Sequence, residues 1–256
     1  MAYLLAHDLG TSGNKAVLYS ETGILIASCL QTYSTQYPHD GWVEQDAKDW
    51  WKAVCKSTKQ LLETARIAPA EVMAISFSAQ MMGCLPVDQA GIPLRPMITW
   101  ADTRASRQEN WMLERTSMDR VYAVTGHRVS ASYAAAKFLW IRENEPEVFK
   151  KTAHMLQAKD YVIYRMTGQI VTDYSDASGT NLFDIREKRW SQELLNAWEI
   201  PASILPELHP STDIAGTITQ RAALETGLLE GTPVVIGGGD GSCACVGAGV
   251  VQDKHA

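Results

Sequence analysis

Two aspartates stand where the chain's residue types suggest chemistry. Asp8 ends an apolar run and is followed directly by Leu9-Gly10-Thr11-Ser12-Gly13. A glycine-rich turn can aim successive backbone N–H groups at an anion. Thr11 and Ser12 add hydroxyl donors, and Lys15 adds a positive charge where it turns toward the loop. A carboxylate repels a phosphate unless a metal stands between them, so Asp8 beside such a loop points to Mg²⁺ and a nucleotide. The spacing is not that of a Walker A loop, which needs Gly-Lys-Ser/Thr ahead of a helix. The competing reading is a plain hairpin turn, because Asp, Gly, Thr and Ser form turns in any case.

Asp240 follows Gly237-Gly238-Gly239 at the end of the apolar run Pro233 to Ile236. Glycines let a ligand approach the backbone closely, and a carboxylate there can take a proton from a substrate hydroxyl. A helix beginning at this point favours the charged carboxylate and makes Asp240 a weak base. Phosphoryl transfer tolerates that, because positioning and charge stabilisation dominate its catalysis. The alternative is a glycine-rich turn with Asp240 as a helix N-cap.

Two more segments carry candidates. In "SFSAQMMGCLPVD", Gln80 follows a buried run and can bind a polyol hydroxyl, while Met81 and Met82 read equally as core filler. In "ITWADTRA", Trp100 can stack on a sugar while Asp102 and Arg104 bind hydroxyls. The other reading is an internal Asp102–Arg104 salt bridge with a helix cap. The six histidines form no H-x-x-x-H pattern, and His7 reads as a strand residue.

These residues need elements to hold them. Tyr3 to His7, Lys15 to Tyr19 and Ile24 to Leu30 read as three strands of a meander, turning at Glu21-Thr22-Gly23. Apolar residues at helical spacing from Trp50 to Ala65, behind Asp46, predict a helix. Val72 to Phe77 reads as a strand, and Leu85 to Val87 and Met97 to Trp100 as short ones. Thr103 to Arg115, Ala134 to Asn144 and Lys159 to Met166 read as helices; "TDYSDASGTNLFDI" reads as a polar loop leading into a short strand, and Ser191 as the N-cap of a helix through Trp198. Strands mixed with helices predict an α/β fold, in which ligands bind beyond the carboxyl ends of strands. Asp8 and Asp240 both hold such positions.

With 256 residues, 46% of them hydrophobic, the chain can bury a substantial core. A net charge of −6 with dispersed basic residues argues against nucleic acid as a partner. No apolar run is long enough for a transmembrane helix, and MAYLLAHD lacks the basic start of a signal peptide. The five scattered cysteines read as reduced thiols, so the expectation is a cytoplasmic protein with no membrane partner.

Taken together, these segments resemble the FGGY family of carbohydrate kinases, its xylulokinase-like branch most of all. "DLGTSGNKAVLY" looks like the family's first phosphate motif, "SAQMMG" like its sugar-binding segment, and "ITWADTRA" matches W-x-D-x-R. "YAAAKFLWIRENEPEVF" resembles the signature around a Lys and a Trp, here Lys137 and Trp140, and "GGGDGSCACVGAG" the segment bearing the catalytic aspartate. The resemblance implies an actin-like ATPase (ribonuclease H-like) fold, a mixed sheet with flanking helices. It implies ATP and Mg²⁺ as cosubstrates and a small-molecule sugar or polyol as acceptor, with a homodimer left open. By position, Asp240 is the catalytic base, Asp8 supports metal and phosphate, and Gly10, Thr11, Ser12 and Lys15 form the cofactor loop. Gln80, Met81, Met82, Trp100 and Asp102 fall on the substrate side. The pattern has Met-His where this chain has Met81-Met82, and the expectation is poor use of D-xylulose and preference for a related acceptor that lacks or inverts the hydroxyl facing Met82. Family members are expected to be much longer. Residues 1–240 then form the N-terminal sugar-binding domain, and residues 241–256 begin a truncated ATP-binding domain. Two alternatives are an actin-like ATPase without a sugar acceptor and a non-catalytic sugar-binding module.

Overall fold

The computed structural model describes residues 2–252, so the last four positions of the expected segment 241–256 lie outside the described residues. The N-terminal meander forms as β1 (Tyr3–Leu9), β2 (Gly13–Ser20) and β3 (Leu25–Thr32), antiparallel to one another. The sheet continues from β1 to the parallel strand Val72–Ala79, then to Pro233–Val235, and ends at Ile214–Thr217. Gly238–Gly239 pairs in parallel with the far end of Val72–Ala79.

One sheet face is covered by α1 (Ala47–Ala65). Alternation in β1 turns Leu5, His7 and Leu9 inward. Helical spacing turns Trp50, Trp51, Val54 and Leu61 to meet the sheet. Asp46 caps this helix, its Oδ1 accepting from the Lys48 N–H at 2.9 Å. A second apolar core, built around the helix Ala134–Asn144, contains Met112, Phe138, Leu139 and Trp198. No helix among the described residues is long and apolar enough to cross a membrane.

Several boundaries move for local reasons. Only Met97–Ile98 is strand, and the next helix begins at Ser106 rather than Thr103. The Asp102 carboxylate accepts from the Arg104 N–H at 3.0 Å, which holds this stretch in a turn. The expected polar loop at 172–185 is largely buried. It contains the strand Val171–Asp173, the helix Tyr174–Ser178 and the short strand Phe183–Asp184. Its acids turn inward because Lys159 lies among them, 3.0 Å from Asp173 Oδ1 and 3.2 Å from Asp176 Oδ2.

His7 is buried under α1, its ring nitrogens 3.1 Å from Asn14 Nδ2 and 3.3 Å from Thr58 Oγ1. Burial pushes it down to about 4, outweighing the Asn14 hydrogen bond. A histidine lowered in the folded state binds its proton more readily when unfolded, so it lends stability above its ordinary value that is lost as pH falls from about 6.5 to 4. We expect His7→Gln to flatten this dependence by about 3 kcal/mol between pH 7.5 and 4. Urea unfolding of both proteins across that range checks it, and parallel pH profiles would refute it.

Candidate active site

Sheet register brings the two aspartates to one edge. Asp8 on β1 lies beside Ser78, and Ser78 lies beside Gly238, all on parallel strands. Two strand spacings separate the backbones of Asp8 and Gly238, roughly 10 Å. Both carboxylates are exposed at that edge. The Ser78 hydroxyl donates to Asp8 Oδ1 at 3.1 Å. Lys15 is the antiparallel partner of Asp8 on β2. A cavity of about 270 Å³ touches Asp8, Lys15, Ser78 and also Cys243, which lies in the helix that Asp240 begins.

The loop after Asp8 is held from several sides. Gly10 N–H donates to Gly13 O at 3.0 Å, closing the turn. The Gln45 amide donates to the Thr11 carbonyl at 2.5 Å, and the Trp100 indole to Thr11 Oγ1 at 3.1 Å. Tyr33 donates to the Gly10 carbonyl at 2.5 Å, and burial together with the Asp8 charge pushes its phenol above the ordinary range. Gln80 Nε2 donates to Gln45 Oε1 at 2.7 Å, and among the described residues the buried Gln80 Oε1 has no hydrogen-bond partner. Among the described residues, the backbone amides of Thr11 and Ser12 donate to no protein carbonyl, as an anion cradle requires.

Asp240 is the first residue of the helix Asp240–Gly247, and Gly239 takes the N-cap position. The N-cap alternative for Asp240 is therefore corrected by one residue. Asp240 Oδ1 accepts from the Gly241 N–H at 2.7 Å. Gly237 has φ 73° and presses on the Phe77 backbone, so no side chain fits there. Gly239 packs so tightly on the Met81 thioether that a Cβ would overlap it. Met81 is thereby placed next to Asp240. Met82 follows with φ 64°, a left-handed conformation that is rare for an unbranched apolar residue.

Trp100 is 41% exposed beside the loop, but Asp102 is fully buried. Asp102 Oδ2 lies 2.7 Å from Arg104 Nη2 and 2.6 Å from the Val43 N–H. The Arg104 guanidinium stacks 3.8 Å from the Trp42 ring centroid. Asp102 and Arg104 thus sit in an internal ion pair, while Asp8, Trp100 and Asp240 are exposed, Met81 and Met82 half-buried, and Gln80 buried beneath the loop.

Residues beyond those singled out by sequence support Asp240. Gly239 N–H donates to Ser175 Oγ at 2.8 Å, and Ser175 Oγ donates to Asp173 Oδ2 at 2.6 Å. Ser211 Oγ reaches the same oxygen at 2.7 Å. Burial works against the Asp173 charge, but the Lys159 ammonium and these hydroxyls hold its carboxyl below the usual range. Burial pushes Asp176 well above it, and the Lys159 ammonium offsets this only in part. The dense acid and hydroxyl content of "TDYSDAS" was the available sequence signal for this network.

The site also fits a magnesium ion. No group of three or more ligating side chains occurs among the described residues. Mg²⁺ usually takes one or two carboxylates and completes its shell with water and substrate phosphates. Asp8 has one oxygen hydrogen-bonded to Ser78, and among the described residues no donor reaches the other, which suits that role.

The overall fold is shared with solved carbohydrate kinases. A xylulose kinase from Rhodospirillum rubrum superposes with a TM-score of 0.93 at 27% identity, covering 98% of this chain and 51% of that one. A xyloylose kinase from Brucella ovis gives a TM-score of 0.89 at 32% identity, covering 98% of this chain and 51% of that one. The architecture is the actin-like ATPase fold of FGGY carbohydrate kinases. The description "FGGY family of carbohydrate kinases, N-terminal domain" matches residues 3–247, and the chain belongs to that family. A xylulose kinase from Bacillus subtilis is 39% identical over 252 residues, which is 98% of this chain and 50% of that protein. A glycerol kinase from Trichormus variabilis is 32% identical, covering 96% of this chain and 49% of that protein. The chain spans about half the length of the curated relatives it matches.

Proposed function

We propose that this chain is the sugar-binding half of an ATP-dependent carbohydrate kinase that phosphorylates a hydroxyl of a free sugar or polyol. The observation that carries this reading is the shared sheet edge. Asp8 near the end of β1 and Asp240 just after Gly238–Gly239 flank the strand Val72–Ala79, which pairs in parallel with both, and Met81 packs on Gly239 next to Asp240. A sugar seated on Met81, Met82, Gln80 and Trp100 presents a hydroxyl to Asp240, which takes its proton. Gly10, Thr11, Ser12 and Lys15 would face the phosphates, and Asp8 would hold Mg²⁺. The ion supplies charge neutralisation of the transferring phosphoryl group. ATP is the phosphoryl donor. All five thiols are free, as a reducing cytoplasm would keep them.

Sugar-stimulated ATP turnover by the full-length protein, across a panel of ketoses and polyols, tests the reading. ATP turnover that no member of the panel stimulates would refute it. The 256-residue chain assayed alone should give no useful turnover, since catalysis here needs both reactants positioned together.

The Ser175 bridge yields a smaller prediction. Ser175→Ala leaves the Gly239 N–H without its acceptor and loosens the strand end that carries Asp240. Turnover should fall about fivefold to tenfold, with the sugar KM nearly unchanged. Steady-state kinetics of the variant check this, and an unchanged kcat would remove Ser175 from the site.

A further inference from the structure

Lys137 is fully buried in the helix Ala134–Asn144, yet among the described residues no carboxylate pairs with it. Its Nζ donates to the carbonyl of Met82 at 2.8 Å and to that of Ser132 in a short hydrogen bond. Burial pushes the amine down to about 7; Cys84 and Asp102 oppose this, and Arg104 adds to it. A buried ammonium without a counter-charge is costly, and a methionine of similar length would fill the same space more cheaply. Packing alone therefore does not account for a lysine here.

The carbonyl it grips belongs to the residue with the left-handed backbone. Met82 stands at φ 64°, and such a conformation persists only where surrounding contacts over-determine it. Gly179 closes on its other side, where a Cβ would come within 3.2 Å of Met82 N. Met81, one residue earlier, rests on Gly239 next to Asp240. Lys137 thus ties the Met81–Met82 turn to the start of its own helix through Ser132.

We propose that Lys137 is a positioning residue for the acceptor subsite, bridging the carbonyls of Met82 and Ser132 so that the Met81–Met82 turn holds the sugar against Asp240. This inference rests on the sugar-kinase reading of that site. It adds a determinant that touches neither substrate.

Lys137→Met keeps the length and removes the donors. In the full-length protein, assayed with the best acceptor from the ketose and polyol panel, its sugar KM should rise about tenfold. The KM for ATP should stay within about twofold, because the phosphate loop is held by Gln45 and Trp100 instead. Lys137→Gln retains a neutral donor and should fall between the two, and it serves as the test if Lys137→Met does not fold. A crystal structure of either variant should find Met82 relaxed to negative φ. Equal rises in both KM values, or a sugar KM within twofold of the parent in the variant that folds, would overturn the inference. A parent that shows no sugar-dependent turnover at all overturns the kinase reading, and this inference with it.

Discussion

Asp240→Asn abolishes most phosphoryl transfer while sugar still binds: that is the expected result of the most direct test. The asparagine keeps the shape of the side chain, and its carbonyl oxygen can still accept from the Gly241 N–H, as Asp240 Oδ1 does at 2.7 Å. The helix start and the Gly239 contact with Met81 are therefore undisturbed. What is lost is the capacity to take the hydroxyl proton. A positioned general base contributes about 10²–10⁴-fold, and kcat should fall by that factor. The sugar dissociation constant, measured by calorimetry, should change less than about threefold, because the loss is confined to the transition state. Asp8→Asn should act differently. It removes charge beside the Gly10–Gly13 loop and should raise the Mg²⁺ requirement before it touches sugar affinity. Near-normal turnover in Asp240→Asn would reduce Asp240 to a helix-start residue and leave the proton without an acceptor at this edge.

Why the strand-end positions of these two aspartates were legible in sequence, and other contacts were not, follows from the range of the interactions involved. Asp8 and Asp240 each lie next to their own glycines and hydroxyls, so the pattern is contained in a few consecutive residues. The strands and α1 announce themselves by period, and Asp46 by its place ahead of the first apolar turn. Lys159 and Asp173 are fourteen positions apart, and each alone reads as a solvated charge. Only their pairing makes burial affordable, and nothing local signals a pair. The same holds for Gln45, which reaches Thr11 across the sheet edge, and for Lys137, which grips a carbonyl in a distant turn. Asp102 and Arg104 are the intermediate case. Two residues apart, they allowed both a ligand site and an internal ion pair, and their full burial beside the Trp42 ring places them in the second arrangement.

Met82→His should redirect the acceptor preference toward D-xylulose, by about tenfold to a hundredfold relative to the parent's best substrate. The resembling xylulokinase pattern carries histidine where this chain has Met82, and an imidazole both donates and accepts hydrogen bonds. A thioether donates nothing and accepts weakly, so a sugar hydroxyl facing Met82 goes unpaired. Leaving a buried hydroxyl unpaired costs on the order of 1–3 kcal/mol, which sets the size of the expected shift. The backbone favours the exchange. Met82 sits at φ 64°, a region where histidine is several-fold enriched and long apolar side chains are rare. Its carbonyl, the atom gripped by Lys137, is common to both residues, so the turn keeps its anchor. The parent should therefore prefer an acceptor that lacks, or inverts, the hydroxyl meeting residue 82, even though several relatives are named xylulose kinases. Parallel kcat/KM measurements on both proteins with D-xylulose, its epimers and the corresponding polyols decide the matter. If the parent already favours D-xylulose and the histidine changes nothing, Met82 faces no sugar hydroxyl, and selectivity resides with Gln80 or Trp100.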